Sequence, residues 1–396
     1  LPAISAARRI AFDVLLQVER GGYASDLLHH RSPQISSADA GLARELVFGV
    51  LRRRPQLDCL LQPHLTKPIP RLDVEVTIAL RMGALQAHFL HRIPAHALVS
   101  ECVSLVKLAR KSSAAGMVNA VLRKVLADTP PHPWPSREVA LCQPEWLLAR
   151  WQQNFGADGM QRIADAFLRK PDVFVRVPDG VAPPQHPGVS LEATELPGCY
   201  RLAQGNAAAL LARHPQIRQM DIGSQWVASL VDAKPGQRVL DLCAAPGNKT
   251  AVVSERAPVA AACDLHLSRL RNMPPPPHPR VQLDGRTPLP FRTRFDWILL
   301  DAPCSGTGTL GRNPEIRWRL QPDKLTHFPP IQADLLRNAL LLLAQNGTLV
   351  YSTCSLEPEE NECILRDICH DEDVRVLRRV PGEASGDGFF AALIRP

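Results

Sequence analysis

The chain has 396 residues, 45% of them apolar and 21% charged, with 37 prolines, ten cysteines and a formal net charge of +7. That length suggests two or three domains, each able to bury a core without disulfide or metal staples. The composition argues against global disorder, and no apolar run reaches the roughly 18 residues a membrane-crossing helix requires.

The charge is unevenly placed. Residues 1–130 carry 17 Lys and Arg against 10 Asp and Glu, while the remainder balances 29 against 29. Such asymmetry points to a basic module that meets a polyanion. Leu1–Arg9 shows no apolar stretch after its charges, so no secretory signal is expected there. The cysteines include no C-x-x-C and no zinc-finger spacing. They read as cytoplasmic thiols, with no metal site and no disulfide framework.

Residues 4–127 read as helix throughout. Ile4, Ala7, Ala11, Val14, Leu15 and Val18 recur at helical spacing until Gly21-Gly22 stop the run. Leu42, Leu46, Val47, Val50 and Leu51 form a second stripe. Further helices are expected near 56–65, 72–90, 95–110 and 113–127, with Pro94 at a tolerated first-turn position and Ser112 as a cap. The stretch Thr129–Pro135 is a stiff, proline-rich linker by composition. Helices around 144–155 and 158–169 and a strand over Val173–Val177 then suggest a small α+β connector. From about 216 strands and helices alternate, with strands at Arg238–Leu242, Val259–Cys263, Phe295–Leu300 and Thr348–Ser352. Helices fall near 331–344 and 358–369, and Val374–Leu377 with Gly388–Ile394 close the chain as an antiparallel pair. The expectation is multidomain: an all-α bundle over 1–130, a connector over 131–215, and an α/β Rossmann-like domain over 216–396.

Three motifs carry chemistry. In the first, Val239–Thr250, a hydrophobic strand runs into a small-residue turn that includes Cys243-Ala244-Ala245-Pro246-Gly247-Asn248, and then a helix. Ligands of such sheets sit beyond the carboxyl ends of the strands, where small residues let the backbone approach. The turn is neither G-x-G-x-x-G nor a Walker sequence, which weakens dinucleotide and nucleoside triphosphate readings. Asp264 follows the next strand, where it can accept hydrogen bonds from ribose hydroxyls. Asp284 follows the third element and can address an adenine amino group. Together these point to a nucleoside-bearing cofactor, with S-adenosylmethionine the first choice. The second motif, Leu299–Gly308, and the third, Val350–Glu357, each set a cysteine, Cys304 and Cys354, just past a central strand. One such cysteine is usually a small buried hydrophobe; two at the same sheet edge suggest a thiol site.

Asp301-Ala302-Pro303-Cys304-Ser305-Gly306 with Ser352-Thr353-Cys354-Ser355, preceded by Cys243-Ala244-Ala245-Pro246-Gly247-Asn248-Lys249-Thr250, resembles the RNA cytosine-C5 methyltransferases. Gly41–Val50 and Asn119–Arg123 resemble the NusB fold. The combination is similar to the bacterial 16S ribosomal RNA enzymes of the Sun/Fmu type, and the likeness spans nearly the whole chain. It implies a NusB-like RNA-binding domain and a class I methyltransferase domain. It implies that Cys243, Ala244, Ala245, Pro246, Gly247, Asn248, Lys249, Asp264, Asp284 and Asp301 line the S-adenosylmethionine pocket. It further implies that Cys354 is the nucleophile, that Cys304 helps release product, and that Asp301 and Lys249 hold the base. Two thiols make chemical sense, because cytosine C5 becomes nucleophilic only after a thiolate has added at C6.

The expected protein is therefore a cytoplasmic monomer that acts on RNA, without membrane attachment. The alternative is a catalytically weak RNA-binding or assembly factor that retains the fold. A DNA cytosine methyltransferase, in which the Pro-Cys thiol attacks, would leave Cys354 without a role. Three further expectations concern local features. The charged Arg312–Arg319 segment, with its Trp, is suited to grip phosphates and stack a base. Asn248 stands where the family has a second glycine, and Asn tolerates a left-handed backbone. Pro274–Pro277 should truncate the helix after Asp264 and leave the adenine side of the pocket open.

Overall fold

The structure, a computed structural model, describes residues 4–31, 35–90, 93–130, 133–273, 278–370 and 372–396. It divides into two compact units. One comprises Leu1–Arg169 with Leu310–Arg319, the other Lys170–Thr309 with Leu320–Pro396.

The first unit is helical: α1 Ala6–Glu19, α2 Ala24–Arg31, α3 Ser37–Arg52, α4 Arg54–Leu61, α5 Val74–His88, α6 Ala95–Leu108, α7 Ala115–Ala127, α8 Arg137–Leu141 and α9 Glu145–Leu168. The stripes seen in the sequence form its core, with Ala11, Leu15, Leu46, Val50, Leu80, Leu105 and Leu122 all buried. Ser36 caps α3 by accepting the Asp39 backbone N–H, and Pro94 occupies the N-cap of α6. Ser112 does not cap α7. It opens a 3-10 turn over Ser112–Ala114, and Ala114 precedes the helix without a side-chain cap. Helix α2 leaves no periodic trace in the sequence, because it buries only Ala24 and Leu28 and so shows no stripe. The two helices expected over 144–169 are joined through Gly156, whose φ of 74° breaks α9 into two arms. A final turn, α14 Ile316–Arg319, also belongs to this unit.

The second unit carries two sheets. A small antiparallel sheet contains β1 Phe174–Arg176, β2 Ser190–Ala193, β3 Cys199–Gln204 and β4 Arg218–Gln219, in the order β2-β3-β1-β4. The helix α10 Ala207–Arg213 follows β3. The expected connector, 131–215, is thus shared out. Its helices α8 and α9 fall in the first unit, where Trp151 packs on Phe167 across α9, and its strands and α10 fall in the second.

The large sheet holds β5 Val239–Asp241, β6 Val259–Asp264, β7 Arg280–Gln282, β8 Phe295–Asp301, β9 Leu343–Thr353, β10 Asp373–Arg379 and β11 Phe389–Arg395. Its order is β10-β11-β9-β8-β5-β6-β7. Strands β7, β6, β5, β8 and β9 run parallel, and β11 pairs antiparallel with both β9 and β10. Between them lie α11 Ile222–Ser229 (before β5), α12 Asn248–Val253, α13 Leu267–Arg271, α15 Phe328–Leu341 and α16 Glu362–Ile368. Helix α13 ends at Arg271, three residues before Pro274; the prolines at 274–277 lie outside the described residues. The chain leaves β5 to build β6 and β7 on one side, then crosses back to lay β8 on the other. The strand order therefore reverses between β5 and β8, and a ligand crevice forms outside the carboxyl ends at such a point.

Candidate active site

The turn after β5 is built to let a ligand reach backbone. Gly247 adopts φ +95°, which spares a Cβ-bearing residue that conformation, and its N–H donates to the Ala244 carbonyl. Asn248 is the first residue of α12, so it meets no demand for a left-handed backbone. Asp241, at the end of β5, is buried and accepts from the Thr250 hydroxyl through Oδ2 (2.7 Å). Its Oδ1 is buried without a hydrogen-bond partner. Burial pushes this carboxyl up to about 7, with Asp301 adding to the rise and Thr250 opposing it.

Asp264 ties the neighbouring strand to the same turn. Its Oδ2 accepts the Ala245 N–H (3.2 Å) and its Oδ1 the His266 N–H (2.9 Å). A carboxylate has about four acceptor positions, so lone pairs remain for a ligand hydroxyl. The Arg269 guanidinium lies 3.7 Å from Asp264 and donates to the Ala245 carbonyl. Asp284 stands apart. Its carboxylate is forked by Arg286, which holds it below the usual carboxylate range. Its neighbour Leu283 donates a backbone N–H to the Asp264 carbonyl, keeping the two aspartates at one sheet edge.

Across the switch point, Asp301 ends β8 opposite Ser352 of β9. Asp301 Oδ2 accepts from Lys249 Nζ at 2.6 Å, and Oδ1 from the Ser352 hydroxyl at 2.8 Å. Lys249 also lies over the Phe389 ring, 5.3 Å from its centroid. Burial alone would lower the pKa of this ammonium. Asp301, followed by Cys354, holds it above the ordinary lysine value.

The two cysteines meet. Cys304 Sγ and Cys354 Sγ are 3.1 Å apart. Contact with Cys354 and then burial push the Cys304 thiol well above its ordinary value, and Glu360 adds to the rise. Either sulfur can donate the hydrogen bond between them. Backbone contacts bring the loops this close: the Gly308 N–H donates to the Cys354 carbonyl, and the Gly388 N–H donates to the Gly308 carbonyl. A Cβ on Gly308 would sit 2.3 Å from the Gly388 oxygen and 2.9 Å from that of Cys354.

The structure thus unites Cys304, Cys354, Asp301 and Lys249 in one cluster, and Cys243–Asn248 with Asp264 in a second beside it. The sequence shows Asp241 only as the end of a strand, and nothing in it marks an unsatisfied acceptor there. Ser352 lies inside the third motif, but only the β8–β9 register reveals its partner. Phe389 lies 140 residues from Lys249, beyond any spacing rule.

The Arg312–Arg319 segment overturns its expectation. Arg317 is fully buried and donates to the carbonyls of Leu310 (2.6 Å), Cys142 (3.0 Å) and Phe167 (3.5 Å). Trp318 Nε1 donates to the Leu51 carbonyl, and Arg319 to the carbonyls of Val18, Gly21 and Gly22. Glu315 accepts the Ala24 N–H at the start of α2. Backbone carbonyls at the ends of α1 and neighbouring helices thus take up the donors of Arg317, Trp318 and Arg319.

The small-residue turn, the unsatisfied Asp241 oxygen and the Asp264 lone pairs suit a nucleoside bearing an amino acid. With the strand order, they define a Rossmann-like methyltransferase domain that uses S-adenosylmethionine, joined to a NusB-like helical unit. Residues 228–395 match the 16S rRNA methyltransferase RsmB/F family and residues 5–127 the NusB family. The chain is 36% identical to ribosomal RNA small subunit methyltransferase B of Thermus thermophilus, over 91% of this chain and 86% of that protein. It is 32% identical to the protein of the same name from Serratia proteamaculans, over 97% of each. In fold it matches the crystal structure of PH0851, with a TM-score of 0.84 at 22% identity, over 100% of both chains. A methyltransferase homologue from Pyrococcus horikoshii matches 65% of this chain and 97% of its own, with a TM-score of 0.55 at 24% identity. The chain belongs to the 16S rRNA methyltransferase RsmB/F family and is an RNA methyltransferase.

Proposed function

We propose that this protein methylates C5 of cytosine in 16S ribosomal RNA through a covalent bond between Cys354 and C6 of the base. The observation that carries the reading is the Cys304–Cys354 pair, 3.1 Å apart and adjoining the Lys249–Asp301 ion pair. Asp241, Cys243–Lys249, Asp264, Asp284 and Asp301 would hold S-adenosylmethionine, which supplies an electrophilic methyl group. Cys354 adds to C6, and the electron pair displaced toward C5 makes that carbon the nucleophile. Asp301 accepts from the base edge, and Lys249 neutralises the charge that develops on the ring. The C5 proton must then leave and Cys354 must be expelled. Contact with Cys354 is the first reason the Cys304 thiol holds its proton so firmly. Once Cys354 is bonded to carbon it can no longer carry charge. Cys304 then ionises more readily, its proton passing to solvent water. The thiolate takes the C5 proton, and the C5–H electron pair closes the C5–C6 double bond and expels Cys354.

Residues 1–130 capture RNA in this reading, 131–215 connect, and 216–396 carry out the chemistry, in a monomer working in the cytoplasm where ribosomal RNA is made. The ten free cysteines are consistent with that compartment. Among the described residues, no helix is long and apolar enough to cross a membrane.

The test is a denaturing gel of protein incubated with 16S RNA and S-adenosylmethionine. Cys304→Ala should trap a protein–RNA adduct, while Cys354→Ala and the double variant show none and do not methylate. An adduct with Cys354→Ala would reverse the roles. Failure of the unmodified enzyme to bind S-adenosylmethionine by calorimetry would instead favour an assembly factor.

A further inference from the structure

Behind the two thiols lies a buried polar network for which the methylation steps need no chemical role. Glu360 closes a 3-10 turn over Pro358–Glu360, and Asn361 leads into α16. The Glu360 carboxylate is fully buried and accepts the Ser305 backbone N–H through both oxygens, at 2.9 and 3.3 Å. Ser305 directly follows Cys304. Asn361 grips the residues on either side of Cys354: its Oδ1 accepts from the Thr353 hydroxyl (2.5 Å), and its Nδ2 donates to the Ser355 carbonyl (2.9 Å). Hydroxyls bridge the two loops, with Ser355 Oγ 3.2 Å from Ser305 Oγ and 3.3 Å from Thr307 Oγ1. Two consecutive residues thus hold both cysteine loops from behind.

We propose that Glu360 and Asn361 are the positioning residues of the two-thiol site. Asn361 fixes the Cys354 loop, and Glu360 fixes the Cys304 loop while setting a negative charge beside its thiol. This rests on the roles given to the two cysteines above. A neutral acceptor would serve to hold Ser305, yet a carboxyl stands there at the cost of burying a charge. Its titration fits a working group: burial pushes it up to about 7, Glu357 adds to the rise, and the bonds from Ser305 and Ser355 oppose it. The other titratable groups facing Cys304 are Cys354 and Tyr351, whose phenol burial also raises. A charged Glu360 opposes ionisation of Cys304, so that Cys354 is the thiol that attacks.

Glu360→Gln keeps an oxygen for the Ser305 N–H and removes the charge. In a Cys354→Ala background without RNA, peptide mapping after iodoacetamide reads the pH profile of Cys304 alone. Glu360→Gln should move that profile to lower pH by about one unit, and Glu360→Asp, which keeps the charge, should restore it. In the enzyme with both cysteines, Glu360→Gln should change the decay rate of the RNA adduct about tenfold, with the KM for RNA within twofold. Asn361→Ala should instead slow adduct formation. Unchanged alkylation profiles in both Glu360 variants would overturn the proposal, as would adduct kinetics unmoved by Glu360→Gln and Asn361→Ala. Should Glu360→Gln not fold, a Glu360→Asp profile already shifted to lower pH would also overturn it. Because alkylation needs no RNA, its result stands whether or not Cys304→Ala traps an adduct.

Discussion

Lys249 and Asp241 show how single residues here depend on their neighbours. Lys249 Nζ bonds Asp301 and lies over the Phe389 ring, so the ammonium is held in place from two sides. Lys249→Met would strip Asp301 of its cation and the developing ring charge of its partner. Single-turnover methylation should fall about 10²–10⁴-fold, with the helical unit's unfolding unchanged. Asp241 contributes to stability through pH. Its carboxyl is raised to about 7 in the folded chain, so between its unfolded value near 4 and that value the folded state binds the extra proton. The stability it contributes is full at low pH and is lost as pH rises toward 7. Between pH 5 and 8 the wild type should lose about 2–3 kcal/mol more unfolding free energy than Asp241→Asn, as read by urea titration. Identical losses would mean that Asp241 titrates normally.

At the scale of elements, the decapeptide Leu310–Arg319 is the segment whose role differs most between sequence and structure. Its charges and Trp have the composition of a nucleic-acid loop, but its donors end on backbone carbonyls of the helical unit. Arg317→Met should destabilise that unit by about 2–4 kcal/mol, because buried carbonyls lose a charged donor. The salt dependence of RNA binding should stay as it is; a flatter slope would restore the phosphate reading. The Gly308 approach makes a second element-level prediction. Gly308→Ala would force the Cys304 and Cys354 loops apart, since both obstructing atoms are backbone. Methylation should drop at least tenfold, a size set by the sensitivity of catalysis to displacements near 1 Å, while S-adenosylmethionine binding by calorimetry persists.

For the whole molecule, the charge excess of residues 1–130 is the feature to test. Arg8, Arg52 and Arg81 are spent inside the helical unit, on Glu101 and Gln86, the Gly311 carbonyl and Asp58. Arg9, Arg20, Arg44, Lys67, Arg71, Lys107, Arg110, Arg123 and Lys124 remain exposed. Deleting residues 1–130 would also strip Arg319 and Trp318 of their partners, so substitution is the cleaner experiment. Replacing Arg9, Arg44, Lys107 and Lys124 with Gln should weaken RNA binding. It should also flatten the plot of log K against log salt by about 0.7 for each single-strand phosphate that is no longer neutralised. An unchanged slope would place RNA capture elsewhere.

The sequence by itself determined the helical stripes, the alternating strands, the terminal antiparallel pair and the two cysteine motifs. These are local: periodicity and turn chemistry act over a few residues and survive in one dimension. It also marked Cys304, Cys354, Asp301 and Lys249, because each lies at or after the carboxyl end of a predicted strand. Only the tertiary structure decided that the connector would be divided between two units and that Ser112 would begin a 3-10 turn. It also decided that Arg317 would be buried and that Glu360 and Asn361 would stand behind the thiols. Those outcomes depend on which unsatisfied backbone group a side chain meets after packing, and partners 8 to 175 residues away are invisible to any local pattern.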